Sequence, residues 1–181
     1  MSLIGHLKED HRITINEAWP VVDTACTQIR EGKEVSPKAL AAIVTFLNGF
    51  VLEHHVPRED ALLDLAQHYG IERENPLIDK IIMEHEEAKN YIVNLSEVLQ
   101  GTTQEDRAAR EEFADDSSEF IAFLVRHEKE ETEDLFPLIE RALTEADRQD
   151  LLTRFVAEEE DDNEDSHERF QRLLTEIKLS L

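Results

Sequence analysis

Apolar residues in this chain recur at steps of three and four, the period of an amphipathic helix, and no segment alternates as a strand would. Between residues 3 and 30 the apolar stripe runs Leu7, His11, Ala18, Val22, Ala25, Ile29. The second stripe is Leu40, Val44, Leu47, Val51, His55, Glu59, Leu62, Ala66, and the third is Ile78, Ile81, His85, Ala88, Ile92, Leu95, Leu99. The fourth is Phe113, Phe120, Leu124, His127, Glu131, Leu135, Leu138, Ala142. Breaks fall at Glu31-Gly32-Lys33, Ser36-Pro37, Gly70 to Pro76, Gly101-Thr102-Thr103 and Thr144. Ser36 and Asn75 each stand before a proline suited to a first helical turn, and Thr144 with Asp147 resembles a capping box. Five helices are therefore predicted, over 3–30, 37–69, 76–100, 105–143 and 145–179. Long helices with short connections predict an all-α fold, an antiparallel up-down four-helix bundle with an additional C-terminal helix. The bundle takes residues 1–143, and 144–181 form an acidic C-terminal helix packed on it or extending from it.

Each of the four bundle stripes is interrupted by one histidine, and two carry a glutamate one turn later. A lone histidine on an apolar face is usually a satisfied core or boundary residue. A glutamate there is harder to accommodate, because an unpaired buried carboxylate costs several kcal/mol or gives up its charge. A cation held among the helices would satisfy all six groups together. Imidazole suits iron, zinc or copper, and a carboxylate can bridge two metals where imidazole cannot. The His-x-x-x-Glu spacing of His55 with Glu59 and of His127 with Glu131 sets both side chains on one helix face. Depth agrees as well: His11 lies 19 residues before Arg30 and His55 lies 18 after Pro37, so an antiparallel pair brings them level. The third and fourth helices match less well, so part of the polar run Gln104 to Glu112 is expected to overhang the bundle or to be irregular.

Composition narrows the function classes. Nineteen basic against 42 acidic residues give a formal charge of −23, which disfavours nucleic acid and anionic membranes as partners. The apolar run from Ala39 to Leu52 is interrupted by Thr45, Asn48 and Gly49 and is short for a bilayer span. With one cysteine, Cys26, no internal disulfide forms, and the start MSLIGHLKED has no signal-peptide pattern; a cytoplasmic protein is the expectation.

The segments LKEDHRI, FLNGFVLEHHVPRED, IIMEHEEAK and FLVRHEKEETEDLFP together resemble those of the hemerythrin-like, histidine/glutamate cation-binding family. The stretch LTEADRQDLLTRFVAEEEDDNEDSHERF is similar to the extra C-terminal helix of one bacterial branch. The resemblance implies a non-haem centre of two iron ions, oxo- or hydroxo-bridged, with zinc or manganese as possible substitutes. It implies His11, His55, His85 and His127 as terminal metal ligands and Glu59 and Glu131 as bridges, the same six residues that the stripes single out. Oxygen-carrying members have a second histidine on the third helix, whereas Ile81 and Lys89 lie four residues either side of His85 here; Leu63-Asp64 stands where many relatives have Phe-Pro. Fewer nitrogen donors imply an open position on one iron. That favours binding or sensing of oxygen, nitric oxide or peroxide, or a response to iron, over reversible oxygen carriage. A redox enzyme (oxidase, peroxide decomposition or iron-site repair) and a metal-stabilised interaction module are the alternatives; self-association and protein partners are left open.

Pro57 is expected to kink the second helix, either aiming His55 and Glu59 or merely tolerated there, and Pro20 and Pro137 are expected to bend theirs. His54 points about 100° away from His55 and is read as a boundary or supporting residue. On the outer face His6 is within reach of Asp10 but is read as solvated; Cys26 is placed in the core, His167 in a packing or supporting role, and the run Glu158 to Asp165 on a solvated face.

Overall fold

The computed structural model describes residues 2–68, 71, 75–101, 106–150, 152–153 and 166–181. It is all-α, with no strand among the described residues. Four long helices make the bundle: α1 over 3–30, α2 over 37–68, α3 over Pro76–Gly101 and α4 over 107–142. A short helical segment, α5, covers 145–150, and α6 covers Ser166–Leu179. The predicted ends at Tyr69 and Glu105, the acidic run Glu158 to Asp165 and the side chain of His167 lie outside the described residues.

Local chemistry sets the helix ends. The Ser2 hydroxyl accepts from the Gly5 amide at 3.1 Å, Ser36 from Ala39 at 3.1 Å, and the Asp106 carboxylate from Ala109 at 3.1 Å. The Asn75 side chain accepts from the Leu77 amide at 3.0 Å. Thr144 and Asp147 form a reciprocal box: the Thr144 amide donates to the Asp147 carboxylate at 2.7 Å, and the Asp147 amide donates back at 3.3 Å. Helix α1 ends at Gly32, whose φ of 73° allows its amide to reach Ile29 and that of Lys33 to reach Gln28, both at 2.9 Å. From Arg107 the polar start of α4 is regular helix, so of the two expectations for this run, overhang or irregularity, the second does not hold over 107–112, and Gln104 and Glu105 lie outside the described residues. Arg110 is buried and donates to the Val35 carbonyl at 2.7 Å, tying α4 to the loop between α1 and α2.

The prolines act differently from simple kinks. Pro20, Pro57 and Pro137 each follow a π-helical stretch, at Thr14–Ala18, Leu47–His55 and Glu131–Leu135. In each case the residue before the proline donates five back, Trp19 to Thr14, Val56 to Val51 and Phe136 to Glu131. The wider turn accommodates the proline ring, which in an α-helix would press on the carbonyl four residues earlier. It also moves the buried face. Beyond residue 135 the core side chains are Phe136, Ile139 and Leu143, one position later than the expected Leu138 and Ala142, of which Leu138 is half-buried and Ala142 exposed.

Two apolar clusters fill the bundle. The larger joins α1 from Ala18 onward, α2 up to Val56, the later part of α3 and the earlier part of α4 with Phe170, Leu174 and Ile177 of α6. The smaller joins Leu3, Ile4 and Leu7 with Leu62, Leu63, Ala66, Ile78, Ile81, Leu135, Phe136 and Ile139. Cys26 is a buried member of the larger cluster, and burial pushes its thiol pKa up. By length and composition α2 is apolar enough to cross a bilayer, contrary to the expectation drawn from Ala39 to Leu52. Most of that apolar window is buried within the bundle, and α2 carries His55 and Glu59 inward.

Candidate metal centre

Between the two apolar clusters lies a layer of buried polar groups, and the six residues singled out on the stripes all come together in it. They form two groups of four, His11, His55, Glu59, Glu131 and Glu59, His85, His127, Glu131, with the glutamates common to both. Each glutamate divides its oxygens between the pairs of histidines. Glu59 Oε1 lies 3.3 Å from His11 Nε2 and 3.1 Å from His55 Nε2, whereas Oε2 lies 3.4 Å from His85 Nε2. Glu131 Oε2 lies 3.4 Å from His11 Nε2, whereas Oε1 lies 3.6 Å from His85 Nε2 and 3.5 Å from His127 Nε2. The first pair of helices thus supplies the imidazoles of one group and the second pair those of the other.

A second ring of side chains orients the imidazoles, and its logic is cyclic. Asp10 of α1 lies 3.4 Å from His55 Nδ1 on α2, and Asp60 of α2 lies 2.7 Å from His85 Nδ1 on α3. Glu84 of α3 lies 2.9 Å from His127 Nδ1 on α4, and Thr132 of α4 lies 2.9 Å from His11 Nδ1 on α1. With Nδ1–H directed at these acceptors, Nε2 is left to face the centre. Every orienting residue is the sequence neighbour of a central residue on its own helix. That adjacency is the signal that stripe reasoning passed over, because it sorted residues by face and these four lie just off it. Asp10 is the clearest case, buried and turned inward rather than set on the outer face. Aromatic rings complete the support: Phe136 stacks on His11, Phe50 on His55 and Phe123 on His127.

Glu128 also went unnoticed in the sequence. It is buried beside His127, accepts from the Thr14 hydroxyl at 3.0 Å and from the Trp19 indole at 3.3 Å, and has its pKa pushed up to about 7 by burial.

The family model described as hemerythrin HHE cation binding domain matches residues 2–139, well over half of the chain. The chain belongs to the hemerythrin HHE family. No curated protein and no solved structure matches it. The HHE match ends at residue 139 and so leaves α5 and α6 outside it, although α6 packs into the core of this hemerythrin-like bundle.

The donor set of this HHE domain fits a pair of cations. Among the described residues, Glu59 Oε2, His85 Nε2 and both oxygens of Glu131 are buried without a hydrogen-bond partner. Such atoms are costly to bury unless something absent from the protein chain satisfies them. His11 Nε2 and His55 Nε2 stand 2.9 Å apart, too close for two lone pairs or two protons. Two donors about 2.1 Å from one ion and about 90–110° apart stand about 3.0–3.4 Å from each other, close to the spacings found here. Without a cation, protons must mediate. Burial alone would lower the His11 pKa, but the carboxylates of Glu131 and Glu59 outweigh it and hold the imidazole up at about 9. His85 is held up at about 12, against burial, by Asp60, Glu131 and Glu59. Burial would raise Glu59; the charge on His55 and the contacts from His11 and His85 hold it well below the usual carboxylate range.

His54 tests the geometry at single-residue resolution. It is buried, with Nε2 3.9 Å from Asp10 and its ring against Phe50, outside both groups of four. His55→Ala should lose one donor and lower the metal content, whereas His54→Ala should keep the metal content of the unaltered protein. Metal analysis of both variants checks this, and the reverse pattern would mean that the wide turn at 47–55 presents His54 instead.

Proposed function

We propose that this hemerythrin-like protein holds two iron ions, with His11 and His55 as terminal ligands of one, His85 and His127 of the other, and Glu59 and Glu131 bridging both. The observation that carries this reading is the division of each glutamate's oxygens between the two pairs of histidines. Zinc or manganese would be accepted by the same imidazole–carboxylate set. Residues 1–143 carry all six ligands, and α6 supports them from outside.

A pair of iron ions supplies one-electron redox chemistry and affinity for oxygen, nitric oxide or peroxide. The protein's part is to leave room for that chemistry and to shield it. Each position receives four protein donors, two imidazoles and one oxygen from each glutamate. Iron commonly takes up to six, so both positions, and not one alone as the count of nitrogen donors implied, would keep places for a small ligand. The two apolar clusters close the layer from either end of the bundle and limit access to small molecules. The orienting ring keeps each Nδ1 proton on its acceptor and turns each Nε2 toward the centre. We infer a protein that binds or senses a diatomic ligand or peroxide, or responds to iron.

Metal-free protein reconstituted anaerobically with ferrous iron should take up two iron ions per chain. A chain that takes up none would defeat the reading. Exposure of the reduced protein to oxygen, nitric oxide and peroxide in turn, followed by visible spectroscopy, identifies the ligand; sustained peroxide turnover would instead assign it as a redox enzyme.

A further inference from the structure

The C-terminal helix α6 packs behind the His55 side of the centre. Phe170, 5% exposed, packs its ring edge-on against Phe50 at 4.9 Å, against His54 at 5.3 Å and against Phe46 at 5.9 Å. Phe50 in turn lies nearly parallel to the His55 imidazole, with ring centres 5.7 Å apart and planes 14° apart. A second route passes through His54, whose Nε2 is 3.9 Å from the Asp10 oxygen that faces His55 Nδ1 at 3.4 Å. α6 crosses α2 over Gly49, where an added Cβ would stand in ordinary contact, 3.4 Å from Phe170 Cε1 and 3.5 Å from the Arg169 guanidinium. His85 and His127 are braced by other means, Asp60, Glu84 and Phe123.

All the α2 residues in this contact except Phe46 belong to the wide-turn segment Leu47–His55. A π-helical run of that length is uncommon, since such turns are usually single bulges within α-helix. Gain or loss of one residue in the turn would rotate His55 by about 100° and take its imidazole off the centre. An external contact that favours the wide form therefore fixes where His55 points.

We propose that Phe170 is a positioning residue for His55, so that α6 sets the affinity of the His11/His55 metal position and leaves the His85/His127 position alone. The inference rests on the two-metal reading above. Loss of packing behind a ligand typically costs about 10- to 100-fold in metal affinity, because the donor is no longer held in its binding orientation.

The test is an anaerobic titration of the metal-free full chain with ferrous iron against a competing chelator, repeated with cobalt(II), whose visible absorption reports its coordination. Wild type, Phe170→Ala, Phe170→Leu and Ile177→Ala are compared. Ile177 is as deeply buried on α6 but lies two turns further on and is the control for weakened docking. Phe170→Ala should weaken one of two positions by about 10-fold or more, leave the other unchanged and alter the cobalt spectrum of the weakened one. Phe170→Leu should recover part of the affinity, and Ile177→Ala should lower the thermal midpoint while keeping both affinities. Should Phe170→Ala lose helical content, Phe170→Leu against Ile177→Ala carries the same comparison. Equal weakening of both positions, no weakening of either, or metal loss in Ile177→Ala in proportion to lost stability would overturn the proposal. A wild-type chain that takes up no metal would instead overturn the reading beneath it.

Discussion

Glu131→Gln should give a folded protein that binds almost no metal at either position. The side chain is fully buried, and its two oxygens face different pairs of histidines, Oε2 toward His11 and Oε1 toward His85 and His127. The amide has the same shape but no charge, and it replaces one oxygen with an N–H2 group that cannot donate electrons to a cation. Whichever way the amide turns, one cluster gains that nitrogen and both lose the negative charge that would balance the two proposed ions. Removing a terminal ligand is milder: His127→Ala takes one donor from one cluster and should leave the His11/His55 position filled. The contrast between two positions lost and one is the signature of a shared carboxylate. Iron per chain after anaerobic reconstitution measures it, with circular dichroism to confirm that the helices remain. Retention of one tightly bound iron in Glu131→Gln would mean that this glutamate serves a single ion.

The second large effect is a loss of stability with rising pH in the metal-free protein that bound metal counteracts. Without metal, His11 is held up at about 9 and His85 at about 12, so the folded state binds more protons than the unfolded chain above the ordinary imidazole pKa of 6.5. The contribution of a raised histidine is complete below 6.5 and is lost as pH rises through its folded value. For His11 alone, a rise from 6.5 to about 9 is worth on the order of 3 kcal/mol. Glu128, held up at about 7 by burial, adds a loss of the same sign from its ordinary value of 4.5 upward. Glu59 acts at the acid end: its depressed pKa gives stability above 4.5 that disappears as pH falls through the folded value. The metal-free thermal midpoint should therefore fall as pH rises from about 6 to about 9. Metal competes with those same protons, so the increment in midpoint on adding iron should grow over that range, and loading in weak buffer near neutrality should release protons. A metal-free midpoint that climbs with pH, or metal uptake with no proton released, would contradict a cluster held together by protons.

How much of this was legible in one dimension depended on whether the residues involved obey a helical period. The helices follow from three- and four-residue spacing together with local caps such as Ser36 and the Thr144–Asp147 box, which need no distant partner. The six central residues stand out for the same reason: a charged or imidazole side chain on an apolar stripe is anomalous wherever the chain folds. The apolar face beyond Leu135 was misplaced by one residue, because a π turn adds a residue to the period and Pro137 alone does not say whether a helix will kink or widen. That choice depends on what packs downstream, here Phe136 against His11 and Ile139 in the smaller cluster.

The partners of the imidazoles required three dimensions. Asp10, Asp60, Glu84 and Thr132 are ordinary polar residues in sequence, and each acts on a helix other than its own. Nothing in linear spacing distinguishes Asp10, turned inward to His55, from an exposed acid one turn from His6. The same holds for Phe170, a plain apolar residue until α6 lies across Gly49 and brings its ring against Phe50 and His54. Helical period and anomalous polarity are properties of neighbouring residues along one chain segment, so they survive without the fold. Which carboxylate faces which imidazole depends on the rotation and crossing of separate helices, and those are set by packing across the whole bundle.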